Sequence, residues 1–423
     1  MPGLEPAGTP TVHQEKPRRR DFLAACAALA GGCAVPQEPA RKASKILLRS
    51  SWQTVNIGDI AHTPGMLRLL EEHLPGAQVT LWPNRLSAGV EKMLQTRFPW
   101  LKIAATPETQ KAAMEGCDFC LHGSGPGLVG AAEMKTWQAT GKPYGFGGVT
   151  LSDAEIKSQR ALLAGAKFVF CRDTNSLQAL KAGGFEGPLA EFGPDATFFL
   201  ELRDDVKADA FLREQKLGAG EFACFVPRLR YTPYWKEGRK MAPEEIARRE
   251  GINEKHGEAD HAKLRAAIVA WVKETGRKAL LCPEMTYAVE LLRPLLFDPL
   301  PEEVKPKVVV RPSYWLTDEA ASTYARAAAV VSLEMHSPII AVANGTPAIH
   351  LRQPTDTRKG QMWRDVGLSD WIFEIDESSG EDIAARLLAL HRAPERTKGA
   401  VAKARAMTAA RGKAMMQALV ANL

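Results

Sequence analysis

The chain has 423 residues, 45% hydrophobic and 25% charged, which is typical of a globular protein and long enough for two domains. Its formal charge is +6, but residues 1–44 hold six basic and four acidic residues, which leaves 49 basic and 45 acidic residues elsewhere. This near balance argues against a nucleic-acid partner.

The N-terminal residues have the pattern of an export signal. Three arginines at 18–20 precede Phe22, Leu23 and about a dozen small apolar residues, which resembles a twin-arginine signal. The apolar run is shorter than the ~20 residues that a membrane span needs. The pattern fits two alternatives, cleavage of the signal near Ala34 and lipid attachment at Cys33. Either predicts an exported protein of the periplasm or cell envelope, with membrane contact only through a lipid at Cys33.

Five of the seven cysteines lie beyond the signal, within apolar segments. Cys117 and Cys120 are three apart, and on an extended strand residues with this spacing lie about 10 Å apart and on opposite faces. A disulfide needs Cα atoms within about 7 Å. We therefore expect reduced cysteines in the core.

Apolar strands alternate with amphipathic helices along most of the chain. The predicted strands are 46–50, 78–83, 119–123, 143–148, 167–173, 222–228, 278–283, 307–312 and about 330–333. The predicted helices are 64–74, 128–141, 152–166, 176–184, 260–276, 286–296 and 317–328, with a linker over 194–209.

This alternation predicts an α/β fold with two doubly wound, Rossmann-like domains that face a cleft. The expected division is a signal and linker over 1–44, domains over 45–205 and 206–375, and C-terminal helices over 376–423. The charged segment 236–259 is either a flap over the cleft or a solvated surface insertion. We expect 398–423 to be a basic amphipathic helix that packs against the body.

In doubly wound sheets, ligands bind where strands end and helices begin. The loop 50–63 carries Asn56, Gly58 and Asp59, which either contact a hydroxylated ligand or form a capped turn. The segment is a candidate substrate-binding loop.

A second such loop holds His122, Gly123, Ser124 and Gly125, where glycine allows close approach of a ligand. A plain tight turn explains two of its glycines equally well. The loop lacks the dinucleotide fingerprint and its acidic partner, so no nicotinamide cofactor is expected. His256 and His261 do not have metalloprotease spacing, so no metal is expected either.

A third loop ends the strand near 330–333. Ser337, which is also a candidate substrate-binding residue, is a predicted N-cap and Pro338 a first helical residue, which places Glu334 and His336 at a helix N-terminus. A histidine there can exchange a proton with a bound substrate, although a histidine that only satisfies a loop carbonyl is common.

These motifs together resemble the polysaccharide pyruvyl transferases. The resemblance covers about residues 46–375. Its elements are Asn56-x-Gly58-Asp59, the glycine loop, Arg172-Asp173, Pro194-Asp195, and Ser332-x-x-x-His336-Ser337 followed by Gly345-x-Pro347.

The resemblance implies a glycosyltransferase-B-like fold and transfer of a pyruvyl group from phosphoenolpyruvate to glycan hydroxyls as a ketal. It also implies that His336 is the acid/base catalyst and that Arg228 and Lys359 hold the donor anion. Glu334 stands where the family usually has arginine, so donor binding would rely on Arg228, Arg230 or Lys359. The export signal also argues against this donor, a cytosolic metabolite.

Three functions follow. The first is an exported, pyruvyl-transferase-like enzyme that acts on an envelope glycan. The second is a non-catalytic glycan-binding protein that has lost its donor site. The third is a glycan-processing enzyme with altered donor chemistry, in which Glu334 and His336 form an acid/base pair.

Overall fold

The computed structural model of the protein describes Gly3 and residues 43–423. The residues that carry the export prediction, 18–34, lie outside the described part of the chain. Within the described residues, no helix is both long enough and apolar enough to cross a membrane.

The first half of the described chain builds a seven-stranded sheet. Its strands are β1 (Lys45–Ser50), β2 (Gln78–Pro83), β3 (Lys102–Ile103), β4 (Phe119–His122), β5 (Tyr144–Val149), β6 (Val169–Cys171) and β7 (Ala190–Phe192). Its helices are α1 (Ile57–His73), α2 (Val90–Arg97), α3 (Pro107–Gly116), α4 (Ala131–Gln138), α5 (Asp153–Ser158), α6 (Arg160–Ala164) and α7 (Thr174–Ala182). A 3-10 turn, Ala196–Phe199, follows β7.

The second half builds a six-stranded sheet. After α8 (Asp205–Glu214) come β8 (Phe222–Val226), α9 (Pro243–Thr275), β9 (Lys278–Leu281), β10 (Val308–Val310), α10 (Thr317–Tyr324), β11 (Ala329–Ser332), α11 (His336–Ala343), β12 (Ala348–Arg352), α12 (Gln361–Asp365) and β13 (Ile372–Glu374). The chain ends in α13 (Gly380–Arg392) and α14 (Pro394–Val420).

Both sheets are parallel and have the same doubly wound order. The first runs β3-β2-β1-β4-β5-β6-β7 and the second β10-β9-β8-β11-β12-β13. The order reverses between β1 and β4 in one sheet and between β8 and β11 in the other. Crevices at such reversals are where open α/β sheets bind ligands. The predicted fold class is confirmed.

The strands are buried because helices cover both faces of each sheet. Every residue of β4, β5, β8 and β11 is buried.

The cysteines Cys117, Cys120, Cys171, Cys224 and Cys282 are buried and free, which confirms their prediction. The first sheet ends at Phe192 and the second begins at Phe222, so the division at 205/206 remains a prediction.

Several element predictions are wrong at their ends. Helix α1 begins at Ile57 rather than 64, because the side chain of Asn56 accepts from the amides of Gly58 and Asp59 and starts the helix early. Pro64 is therefore inside it. In the segment predicted as a flap or insertion, residues 243–259 form the first half of the 33-residue helix α9. Residues 286–297 form 3-10 and π turns instead of an α-helix.

The prediction for the third loop needs a similar correction. Helix α11 begins at His336 with Met335 at the N-cap, so Ser337 lies inside the first turn. Its hydroxyl does not cap its own helix but donates to Glu284.

The two halves are joined directly beside the crevices. Asn56 and Met285 form an antiparallel bridge, in which the amide of Ile57 donates to Glu284 O (3.1 Å) and that of Thr286 to Val55 O (3.0 Å). At the other end of the chain, α14 crosses back to the first half, where Gly412 lies against Phe199 and Leu69. Its buried residues confirm the predicted packed closing helix.

Candidate functional site

His336 lies at the junction of the two halves. It is the first residue of α11, and its side chain is only about a twentieth exposed, at 5%. Its Nδ1 is 3.5 Å from Glu284 Oε1, and its Nε2 is 4.0 Å from Asp195 Oδ2. Charged groups from both halves therefore face its ring, in contrast to a histidine held only by a loop carbonyl.

Asp195 follows β7 and is fully buried. Its Oδ1 accepts from the amide of Thr197 at 2.9 Å, and its Oδ2 accepts from Arg172 at 2.5 Å. Burial alone would raise the pKa of Asp195, but the charges of His62 and Arg172 hold that pKa well below its usual value. The side chain is thus a fixed anion beside His336.

His62 is a second histidine in the same cluster, on the buried face of α1. Its Nδ1 is 2.9 Å from Asp195 Oδ1 and 2.7 Å from Ser124 Oγ. Its ring meets that of His336 edge-on, with centroids 5.1 Å apart. Burial lowers the pKa of His62 although Asp195 opposes the effect, and His336 and Arg172 lower that pKa further.

Glu284 follows β9 and connects His336 to the start of its own helix. Its Oε2 accepts from the amide of Ser337 at 2.6 Å and from the Ser337 hydroxyl at 2.7 Å. Burial would raise the pKa of Glu284, but His336 and Ser337 lower it. The helix N-terminus, which favours anions, is thus occupied by a carboxylate of the protein itself.

Glu334 faces Arg228 rather than His336. Arg228 Nε lies 3.3 Å from Glu334 Oε2, and Arg228 also donates to Asp356. Burial raises the pKa of Glu334 to about 7, with Arg228 opposing and Glu284 adding to the rise. Arg228 therefore forms ion pairs with two buried carboxylates, those of Glu334 and Asp356.

The remaining predicted cations are also paired. Lys359 Nζ is 3.6 Å from Asp356 Oδ1, so Lys359 belongs to the Arg228 cluster. Arg230 makes two hydrogen bonds of 2.8 Å to Asp260, on α9, and lies in a separate ion-pair cluster. The structure thus groups Arg228 with Lys359 but not with Arg230.

The glycine loop contributes one side chain to the cluster. Ser124 Oγ contacts His62 and accepts from the amide of Ala196 at 3.0 Å. A Cβ added to Gly123 or Gly125 would meet Ser50 or Trp52 at 2.9 and 2.6 Å, so neighbouring side chains already occupy that space.

His122 lies apart from the cluster and faces its own loop. Its Nδ1 and Nε2 are 2.7 and 2.8 Å from the carbonyl oxygens of Gly123 and Val129. Burial lowers the pKa of His122 to about 4.

The predicted loop 50–63 both caps α1 and touches His336. Asn56 is the N-cap, and Asp59 lies 3.9 Å from His62 Nε2. Gly58 is in contact with the catalytic candidate, because a Cβ added there would lie 2.2 Å from His336 Cβ and Cγ. The glycine is required by this close approach.

His62, Asp195 and His336 each bring one possible metal ligand within 4.8 Å of the others. Two imidazoles and a carboxylate are a donor set that divalent transition metals accept. Arg172 already supplies a positive charge to Asp195, however, so we assign no metal here. The absence of a metal or cofactor remains a prediction.

Sequence reasoning did not place His62, Arg172, Asp195, Glu284 or Asp356 in the site. Arg172 and Asp195 are visible as short motifs near strand ends, and Glu284 lies three residues after the end of β9. The rule that ligands meet strand carboxyl ends would have found these three. His62 lies within a helix, and nothing in its sequence context signals its role.

The family model for polysaccharide pyruvyl transferases matches residues 56–353. The chain belongs to the polysaccharide pyruvyl transferase family. The match spans most of both sheets and includes His336, and membership of this family supports a glycan-modifying transferase. A comparison with curated protein sequences finds no match.

Solved structures of similar fold include several proteins that were crystallised with UDP or a UDP-sugar. Anabaena Alr3699/HepE in complex with UDP and glucose is 12% identical, with a TM-score of 0.53 over 89% of this chain and 98% of that one. Staphylococcus aureus MnaA with UDP is 11% identical, with a TM-score of 0.54 over 85% and 91%. Medicago truncatula UGT71G1 with UDP-glucose is 10% identical, with a TM-score of 0.50 over 86% and 94%. The fold is glycosyltransferase-B-like, as expected.

Proposed function

We propose that this family member transfers a pyruvyl group, as a cyclic ketal, from phosphoenolpyruvate or a related donor to two hydroxyls of a glycan. The observation that carries the proposal is the position of His336, between Glu284 of one half and Asp195 of the other. A buried imidazole held between two carboxylates is placed to give and accept protons.

The reaction needs such a group because protons move at each step. The donor's methylene carbon gains a proton and becomes a methyl group, which leaves a cationic centre that one hydroxyl attacks. The second hydroxyl closes the ring, and the carbon–oxygen bond to phosphate breaks with its electrons on phosphate. Of the two hydroxyl protons, one balances the new methyl group and the other leaves with phosphate. His336 is the proposed donor and acceptor of these protons.

A second candidate is a glycan-binding protein without donor chemistry. Arg228 and Lys359 face Glu334 and Asp356, so two cations are balanced by two carboxylates. An anionic donor gains little from such a neutral group while Glu334 is ionised. The same pairing fits the altered donor of the third hypothesis but not its Glu334–His336 acid/base pair, because Glu334 faces Arg228.

A donor-binding experiment separates these functions. The full chain is titrated calorimetrically with phosphoenolpyruvate and with galactose- or mannose-containing glycans, and phosphate release is followed when both are present. Pyruvyl transfer predicts donor binding at millimolar concentration or tighter, with phosphate release that requires the glycan. Glycan binding without either signal would contradict the transferase proposal and support the binding protein.

We further propose that the protein acts outside the cytoplasm, at an envelope glycan. The arginine pair and apolar run at 18–34 support this proposal. Fractionation of cells that express the full chain tests it. Replacement of Arg19 and Arg20 by lysine should retain the protein in the cytoplasm, and unchanged localisation would contradict twin-arginine export.

A further inference from the structure

His62 has an unexplained nitrogen. The side chain is fully buried, and its Nδ1 is held by Asp195 and Ser124, but Nε2 has no hydrogen-bond partner among residues 43–423. Buried polar atoms are rarely left unpaired, and exceptions often have a chemical role. An imidazole held at Nδ1 by a carboxylate, with its other nitrogen unpaired, is arranged as a base.

His336 has a matching feature. Its Nε2 also has no hydrogen-bond partner in the described part of the chain, and it lies 4.0 Å from Asp195 Oδ2. Asp195 therefore presents one oxygen to each histidine, with Oδ1 toward His62 at 2.9 Å. A single carboxylate stands between two imidazoles from the two halves of the molecule.

Charged groups of both signs surround this pair. The groups that face the two rings are Asp59 on α1, Arg172 after β6, Asp195 after β7, Glu284 after β9 and, next to Glu284 and Asp59, the hydroxyl of Tyr314. Among the three carboxylates, Asp195 opposes the cost that burial puts on a protonated His62. Two imidazolium rings 5.1 Å apart would repel each other appreciably in a protein interior, so a second proton is disfavoured.

We propose that His62 is a positioning residue that shares one proton with His336 across Asp195. The catalytic consequence rests on the function proposed above. Ketal formation requires His336 to give a proton to the donor's methylene and then to accept protons from hydroxyls. A second buried imidazole that stores the proton lets one residue perform both steps in turn. His62 itself need not touch the substrate.

The first test is the pH dependence of phosphate release by the full chain. His62→Gln should lower kcat by about 10- to 100-fold, leave KM within about twofold, and change the shape of the pH profile. His261→Gln is the matched control, because His261 is also fully buried but contacts Gly257 O, 2.6 Å away on α9. An equal loss at every pH with an unchanged profile would reduce His62 to a structural role and overturn the proposal.

The second test needs no donor, so it separates this inference from the proposed function. In 15N-histidine NMR of the full chain, the ring signals of His62 and His336 should move over the same pH range. In His62→Gln, the His336 signals should follow a single-site curve over a different range. A His336 curve identical in both proteins, or wild-type rings that titrate independently, would contradict proton sharing. The wild-type titration remains decisive if the variant does not fold.

Discussion

His336 depends on the absence of a side chain at Gly58. The start of α1 approaches the imidazole so closely that a Cβ at position 58 would lie 2.2 Å from two atoms of the His336 side chain. Such a distance is far below van der Waals contact, so the ring or the helix must shift. The glycine of the Asn-x-Gly-Asp motif is therefore explained by packing against the catalytic candidate.

Gly58→Ala should displace the His336 ring. We expect a loss of about 1–3 kcal/mol in the free energy of unfolding and about a 100-fold loss of turnover, because catalysis tolerates little misplacement. Thermal unfolding and phosphate release measure the two effects. Gly251→Ala on α9 is the control, since no atom lies within 4 Å of its added Cβ and alanine favours a helix. Full activity in Gly58→Ala would contradict the assigned contact.

Glu334 makes anion binding near Arg228 depend on pH. Its pKa is raised to about 7 by burial, so the side chain is neutral below that pH and negative above it. At the lower pH, the two positive charges of Arg228 and Lys359 exceed the one negative charge of Asp356. At the higher pH, the charge of Glu334 cancels this excess. We expect the affinity for phosphoenolpyruvate to fall about tenfold as the pH rises from 6 to 8.

Glu334→Gln should abolish most of this pH dependence and keep the higher affinity at pH 8. Calorimetric titration at several pH values measures the affinity. Glu290→Gln is the control, because Glu290 is exposed. A wild-type slope retained in Glu334→Gln would show that another group controls anion binding.

Helix α11 begins at a carboxylate that comes from a neighbouring strand end. Glu284 accepts from the amide and hydroxyl of Ser337, while its other oxygen faces His336 Nδ1. One side chain thus fixes both the helix N-terminus and the orientation of the candidate catalyst.

Glu284→Gln keeps the shape of this side chain but removes its charge. We expect a loss of about 1–3 kcal/mol in the free energy of unfolding, because hydrogen bonds to a buried charged group weaken. Turnover should fall about tenfold or more, since the base loses the group that orients it. Chemical denaturation and phosphate release report these effects. Wild-type stability and turnover in this variant would refute the role of Glu284.

Elements with strong local signals were predictable from sequence. The apolar strands and their alternation with helices indicate the doubly wound class, and strands such as β8 and β11 are buried throughout. The start of α1 was misplaced because Pro64 is a typical first-turn residue, whereas Asn56 is the actual cap. Short edge strands such as β3 carry too few residues to show a pattern.

The site was only partly predictable for a related reason. His336 and Glu334 were found because they follow a buried strand. The pairing of Glu334 with Arg228 and of His336 with Glu284 depends on which strand ends become neighbours in space. The spacing of residues along the chain does not reveal contacts between segments that are far apart in the sequence.

The two halves of the molecule meet around a site that is almost closed to solvent. His336, Asp195 and Glu284 are at most 5% exposed, and the bridge between Asn56 and Met285 lies directly beside them. A glycan reaches His336 only if this junction opens. Hinge or shear movement of two domains around a ligand is a common step in enzymes.

A disulfide across the bridge should trap the closed form. Opposed residues of an antiparallel pair lie about 4.5–5.5 Å apart at Cα, within the range of a disulfide. Asn56→Cys with Met285→Cys should therefore lose phosphate release when oxidised. The reduced protein is the control, because it carries the same substitutions, and reductant should restore its activity. Equal turnover of the oxidised and reduced forms would show that the junction need not open.

The most direct test of the account is phosphate release by His336→Gln in the presence of donor and glycan. If His336 is the acid/base group, kcat should fall by about 100- to 10,000-fold while donor binding and thermal stability stay near wild type. His261→Gln, which alters another buried histidine, should retain wild-type turnover. A folded His336→Gln protein with wild-type kcat would contradict the central claim.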